Sequence, residues 1–128
     1  MGRRGPSAPV PAKDALAATS GWFTLQVLVD NMDRLSRNLE PRRHYGYLRS
    51  ASVLSVEDQE TIDNPQLPRS QRAIKLIDII RTKGPTAYDA LCGSLAQDKT
   101  QLFLLKELNQ SLEREIGTAS TLLFRLFD

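Results

Sequence analysis

The sequence predicts an all-α domain, a bundle of six helices whose short connections favour antiparallel neighbours. Three observations lead there. Apolar residues recur at steps of three and four through most of the chain. Each such stretch is bounded by helix-start and helix-stop residues. No segment alternates apolar and polar residues with period two between turn residues, so no strand is expected.

The first helix is expected from Trp22 to Glu40, with Leu25, Leu28, Met32, Leu35 and Leu39 along one stripe and Pro41 closing it. A short second helix begins at Arg42, turns Tyr45 and Leu48 inward and ends near Ala51. Ser55 and Asp58 form a capping-box pair that starts the third helix through Ile62, and Asn64 and Pro65 stop it. The fourth follows Pro68, repeats Ala73, Leu76, Ile77 and Ile80 on one face, and ends at Gly84. Pro85 suits the first position of the fifth, whose inward face is Tyr88, Leu91, Cys92 and Leu95. Asp98 is expected to cap the sixth, with Gln101 returning the bond, Leu102, Leu105, Leu108 and Leu112 as its stripe and Gly117 as its stop.

With 128 residues, 41% of them hydrophobic and 25% charged, the chain suits one globular domain. Residues 21–116 form it, after an arm at 1–20 rich in Pro, Gly, Ala and Ser that is expected to be disordered. Residues 117–128 form a short apolar tail around Leu122, Leu123, Phe124, Leu126 and Phe127. That tail reads either as a frayed extension of the sixth helix or as a partner-binding segment. No apolar h-region follows the N-terminal arginines, Pro6 stands where a myristoylation signal needs Ser or Thr, and no apolar run approaches a membrane span. One cysteine excludes an internal disulfide framework and fits a reducing compartment, with the cytoplasm as the expected location.

Chemistry-bearing residues are few. Cys92 is the one candidate thiol nucleophile, but it falls on an apolar stripe, where burial raises a thiol pKa, so core packing is the reading adopted. His44 is the single histidine, expected at the surface of the second helix, and one His with one Cys cannot assemble a zinc site. The "TKGPT" corner lacks the spaced glycines and following Lys-Ser or Lys-Thr of a phosphate loop. No catalytic residue, metal or cofactor is expected, and the leucine stripe of the sixth helix is assigned to core packing rather than to a coiled coil.

Charge is more informative. Arg42, Arg43 and Arg49 make the second helix basic; Arg69, Arg72, Lys75, Arg81 and Lys83 do the same around the fourth; Glu57, Asp58, Glu60 and Asp63 make the third acidic. The formal net charge is only +2, so the distribution matters more than the sum. Opposite signs on neighbouring helices allow one copy to meet another head to tail, a contact that need not close and then builds a filament.

"HYGYLRSASVLSVEDQETI" followed by "RSQRAIKLIDIIRTKGPTAYDALCGSL" resembles the caspase recruitment domain, the CARD branch of the death-fold superfamily, across residues 22–116. Within that family "DKTQLFLLKEL" is most similar to the B-cell lymphoma adaptor branch, which couples CARD-bearing coiled-coil scaffolds to NF-κB, and "KGPTAYDAL" to initiator-caspase prodomains and their adaptors. The resemblance implies a six-helix antiparallel Greek-key bundle, no catalysis, and homotypic binding of other CARDs through asymmetric charged surfaces, often as filaments. Carried over by position, it implies a basic contact side at Arg43 and Arg49 and an acidic side at Glu57, Asp58 and Glu60, with Leu48 supporting the second helix. A basic position early in the fourth helix of the adaptor branch is Gln71 here, with Arg69 and Arg72 beside it.

The expected function is a cytoplasmic adaptor or regulator of NF-κB or cell-death signalling. It would self-associate and bind CARD scaffolds, lymphoma-type adaptors or initiator caspases. A CARD-only decoy that caps another protein's assembly is the alternative, since the chain carries neither the Ser/Thr-rich tail of the adaptor branch nor a protease. A small basic nucleic-acid binder is the remote one, with affinity that would fall steeply with salt.

Overall fold

The computed structural model describes residues 21 and 23–127, and for 118–127 the backbone alone. The expected N-terminal arm, Trp22 and the side chains of the C-terminal apolar cluster lie outside the described residues. The elements are α1 (residues 23–30), α2 (Met32–Asn38), a 3-10 turn (Pro41–His44) running into α3 (Tyr45–Ser50), α4 (Val56–Ile62), α5 (Arg69–Lys83), α6 (Pro85–Gln97) and α7 (Leu102–Phe127). The described residues contain no strand. With α1 and α2 counted as one bent helix, and the 3-10 turn with α3 as another, they make the expected six.

The first helix is not continuous. Asn31 leaves helical geometry at φ −104°, ψ 13°, while its amide donates both to Val27 O at 2.8 Å and to Ser111 Oγ at 2.9 Å. A side chain that satisfies a carbonyl of its own helix and reaches another helix bends the axis at that point. The second helix starts as a 3-10 turn because Pro41 enters it with a fixed φ and no N–H. It ends in a Schellman arrangement, with Val53 N–H on Leu48 O at 2.9 Å and Ser52 N–H on Arg49 O at 3.1 Å. Ser52 takes the left-handed position at φ 61°.

The predicted capping box at Ser55 and Asp58 is present, with both reciprocal bonds at 3.0 Å. Gly84, at φ 101°, ends α5 in backbone space that side chains rarely adopt, and Pro85 opens α6 as expected. The centre of the bundle is α5, which packs against α2, α4, α6 and the 3-10 turn, and α6 in turn packs against α7 and α3. Leu28, Leu35, Leu39, Leu48, Ile62, Leu76, Ile77, Ile80, Leu91 and Leu95 are fully buried.

The last helix differs from expectation in three ways. Asp98 makes an Asx turn to Thr100 instead of a capping box, and Gln101 spends its side chain elsewhere. The buried face is Gln101, Leu104, Leu108 and Ser111, while Leu102, Leu105 and Leu112 are only half-buried. A search for apolar residues alone rotates the stripe, because two of the inward positions are polar. Finally, α7 runs through Gly117 to Phe127. An interior glycine costs about 1 kcal/mol relative to alanine, which weakens a helix without stopping it, and no proline follows.

His44 is also not at the surface. It is fully buried, with Nδ1 2.7 Å from Ser94 Oγ and Nε2 3.4 Å from Gln101 Oε1. The orientation of Gln101 follows from its other bonds: Oε1 accepts Glu40 N–H at 2.9 Å and Nε2 donates to Asn38 O at 3.2 Å. An acceptor therefore faces His44 Nε2, which selects the Nε2–H tautomer and leaves Nδ1 to accept the Ser94 hydroxyl. His44 stands four residues before Leu48 and next to Tyr45, so the helix carries it inward with them; the surface expectation follows from its polar side chain and not from its place on the helix.

Arg69, at the start of α5, closes the end of α2. Its guanidinium donates to Leu39 O at 2.9 Å, Arg37 O at 2.6 Å and Ser36 O at 3.4 Å, carbonyls that a helix end leaves without intrahelical partners. Arg69→Ala is expected to lower stability by about 1–2 kcal/mol, read as a reduced urea midpoint at constant m-value. Arg69→Lys recovers little of the loss, because an ammonium lacks the planar fork that spans several carbonyls.

Burial lowers the His44 pKa below its ordinary 6.5, so the unfolded chain binds the proton more readily. Stability is complete above that pH and falls as the pH drops through 6.5, at up to about 1.4 kcal/mol per unit. Urea titrations at pH 7.5 and 5.5 check this, with a smaller difference expected for His44→Gln.

Candidate functional site: a charged protein-interaction surface

The residues that resemble chemistry are used for packing. Burial pushes the Cys92 thiol up to about 11, leaving almost no thiolate at neutral pH, and the side chain packs against the core beside Tyr88. A surface concavity of about 540 Å³ lies between the second helix and the end of α6 and is lined by Arg43, Tyr47, Ser50, Gln97, Asp98 and Lys99 among others. It is polar and wide open; Ser94 also lines it, but its side chain is buried, its hydroxyl donates to the fully buried His44, and no carboxylate is bonded to the other ring nitrogen, which meets the Gln101 amide. Among the described residues no group of three or more His, Cys, Asp or Glu could hold a metal ion. Among the described residues no helix is long and apolar enough to cross a membrane.

What remains is charge, organised by α4. This helix buries Ile62 and presents Val56, Glu57 and Glu60 on its exposed side. Its two flanks hold cations from the neighbouring helices. On one flank Asp58 Oδ2 accepts Lys83 Nζ at 2.8 Å, from the end of α5. Lys83 and the Ser55 backbone together hold the Asp58 carboxyl below its ordinary value. On the other flank Asp63 pairs with Arg42 at 3.0 Å, which raises the arginine's pKa, and Gln59 Oε1 accepts Arg49 Nη1 at 2.9 Å.

The remaining expected site residues divide similarly. Arg43 pairs with Asp98 at 3.2 Å across to the end of α6, and Asp98 is held below its ordinary value first by the Thr100 hydroxyl and further by Arg43. Arg69 caps α2. Arg72 donates weakly to Asn64 O at 3.4 Å, and its Nε is buried without a hydrogen-bond partner. Lys75, one turn further along α5, is exposed.

Of the twelve charged residues that the sequence marks on these helices, Arg42, Arg43, Asp58, Asp63 and Lys83 are thus neutralised within the domain, Arg81 pairs with Asp78 at 3.4 Å, and Arg69 serves the α2 terminus. Among the described residues no ion pair engages Glu57, Glu60, Lys75 or Arg49, and Arg49 alone of the four is held in place by a neutral amide. Asp98, expected only as a helix cap, and Gln59, which carries no signal of its own in the sequence, decide this division. Lys83 was counted as a cation but not as the partner of Asp58. None of the three stands near its partner in the chain, so no local pattern marks them.

Residues 25–111 match the family model described as caspase recruitment domain. The curated relatives include B-cell lymphoma/leukemia 10 of Homo sapiens and of Mus musculus, each 33% identical over 78 residues, which is 61% of this chain and 33% of the relative. The aligned region thus spans about a third of the length of these relatives. No solved structure matches the chain. The matched residues run from within α1 to the middle of α7 and take in both charged flanks of α4. The fold is accordingly the all-α, six-helix antiparallel Greek-key bundle of the death-fold superfamily, and the chain belongs to the caspase recruitment domain family.

Proposed function

We propose that this chain is a non-enzymatic signalling adaptor or regulator that assembles with other CARD proteins, and with itself, through a head-to-tail contact of unlike charges. Arg49 and Lys75 carry the basic side, and Glu57 and Glu60 the acidic side. The observation that carries this reading is the division of charges around α4: the flanking carboxylates are occupied within the domain, and the outward ones are left free beside an exposed Val56. Such a contact is heterologous, so it propagates into a filament unless one side is blocked. The partners are other CARDs, of coiled-coil scaffolds, lymphoma-type adaptors or initiator caspases. The setting is cytoplasmic NF-κB or cell-death signalling, in line with the likeness to B-cell lymphoma/leukemia 10.

Two charge reversals test the arrangement. Arg49→Glu and Glu60→Arg are each expected to reduce self-assembly at least about tenfold while leaving helicity unchanged, because like charges then meet across the contact. Mixed in equal amounts, the two variants are expected to recover part of the assembly, since the intact sides meet each other and the two reversed positions are again of opposite sign. Sedimentation of each chain and of the mixture measures this, and normal assembly of Arg49→Glu would remove Arg49 from the surface. In cells, raised NF-κB output upon expression marks an adaptor, and lowered output marks a decoy.

A further inference from the structure

Arg49 differs from the other cations of the second helix in what holds it. Arg42 meets the Asp63 carboxylate at 3.0 Å and Arg43 the Asp98 carboxylate at 3.2 Å. Each of these enters an encounter already neutralised. Arg49 Nη1 instead donates to Gln59 Oε1 at 2.9 Å. A neutral amide fixes the direction of a guanidinium without cancelling its charge. A carboxylate at the same place turns the pair into a dipole whose field falls off quickly, and long-range attraction of an acidic surface goes with it.

The contrast occurs within a single helix. Asp58, Gln59 and Asp63 all accept from a cation of a neighbouring helix, and only Gln59 does so without neutralising it. Gln59 is half-buried, in reach of Arg49, whereas the free acids Glu57 and Glu60 are exposed.

We infer that Gln59 is a positioning residue for recognition: it holds Arg49 in a set direction and, by being an amide rather than a carboxylate, keeps that arginine cationic for the acidic α4 face of a second copy of this chain. The inference rests on the reading of Arg49 as a contact residue. It assigns a role to a side chain that touches no partner itself, and it makes a one-atom-group change, Gln59→Glu, a switch for assembly.

The test uses the full chain in four forms: unchanged, Gln59→Glu, Arg49→Gln, and the double variant. Light scattering and sedimentation follow self-assembly, with circular dichroism and urea midpoints as folding controls. Gln59→Glu is expected to fold with a midpoint no lower than the unchanged chain, to lose assembly about tenfold, and to show a flatter dependence of association rate on salt. In the Arg49→Gln background the same substitution is expected to cause no further loss, since neighbours that act through one group are not additive. Assembly of Gln59→Glu at the unchanged level, while Arg49→Gln loses it, would overturn the inference and leave Arg49 as a contact. An equal loss from Gln59→Glu in both backgrounds would overturn it too, because Gln59 would then act independently of Arg49. Normal assembly of Arg49→Gln, or an unchanged chain that stays monomeric, would overturn the contact reading and the inference with it.

Discussion

The side chain of Gln101 holds together the end of α2, the second helix and α7. From the start of α7 it reaches back 61 residues to accept the backbone N–H of Glu40, donates to Asn38 O, and faces His44. These bonds tie the end of α2, the 3-10 turn and α7 to one buried point, and Ser94 adds α6 through His44. A buried polar network is costly where any member is left unsatisfied, so once formed it admits one arrangement of the four elements. The second helix begins from that point, and the directions of Arg42, Arg43 and Arg49 follow from it.

Around this anchor, stability and recognition are divided between different residues. The apolar core formed by α2, α5, α6 and the inward side of α7 supplies most of the stability, because burial of large aliphatic side chains outweighs ion pairs that water still reaches. The exposed pairs Arg42–Asp63, Arg43–Asp98 and Lys83–Asp58 add little to it. What they change is the field that a partner meets. Each removes one positive and one negative charge from the surface, and the charges left around α4 include those on its outward side and on Arg49, with Lys75 exposed on α5. A domain with a formal charge of only +2 can in this way present patches of either sign.

α4 is short and would not be stable alone, since isolated helices of seven residues do not persist in water. Its capping box and buried Ile62 start and seat it, and its contacts with Lys83, Arg49 and Arg42 hold both flanks. Asp58 serves two of these purposes at once, as the reciprocal cap for Ser55 and as the partner of Lys83. The acidic surface and the helix that displays it therefore depend on the same residues.

Much of this protein was legible in the sequence. Apolar spacing, Pro41, the Ser55–Asp58 pair and the Gly84–Pro85 corner specify helices through interactions within a few residues, and those interactions are present in any chain with that order. The inward positions of α5 and α6, the core environment of Cys92 and the family itself follow from the same local signals. The hydrogen bonds of the buried His44, the bend at Asn31 and the polar inner face of α7 do not, because each depends on a partner 50 to 80 residues away that no local pattern names. The charged surface divides the same way. Its residues and their signs were legible as a list, but an arginine beside an amide and an arginine beside a carboxylate look alike in sequence. Only the tertiary structure decided which charges were cancelled, because ion pairing depends on distances of a few ångströms between helices that the chain order leaves open.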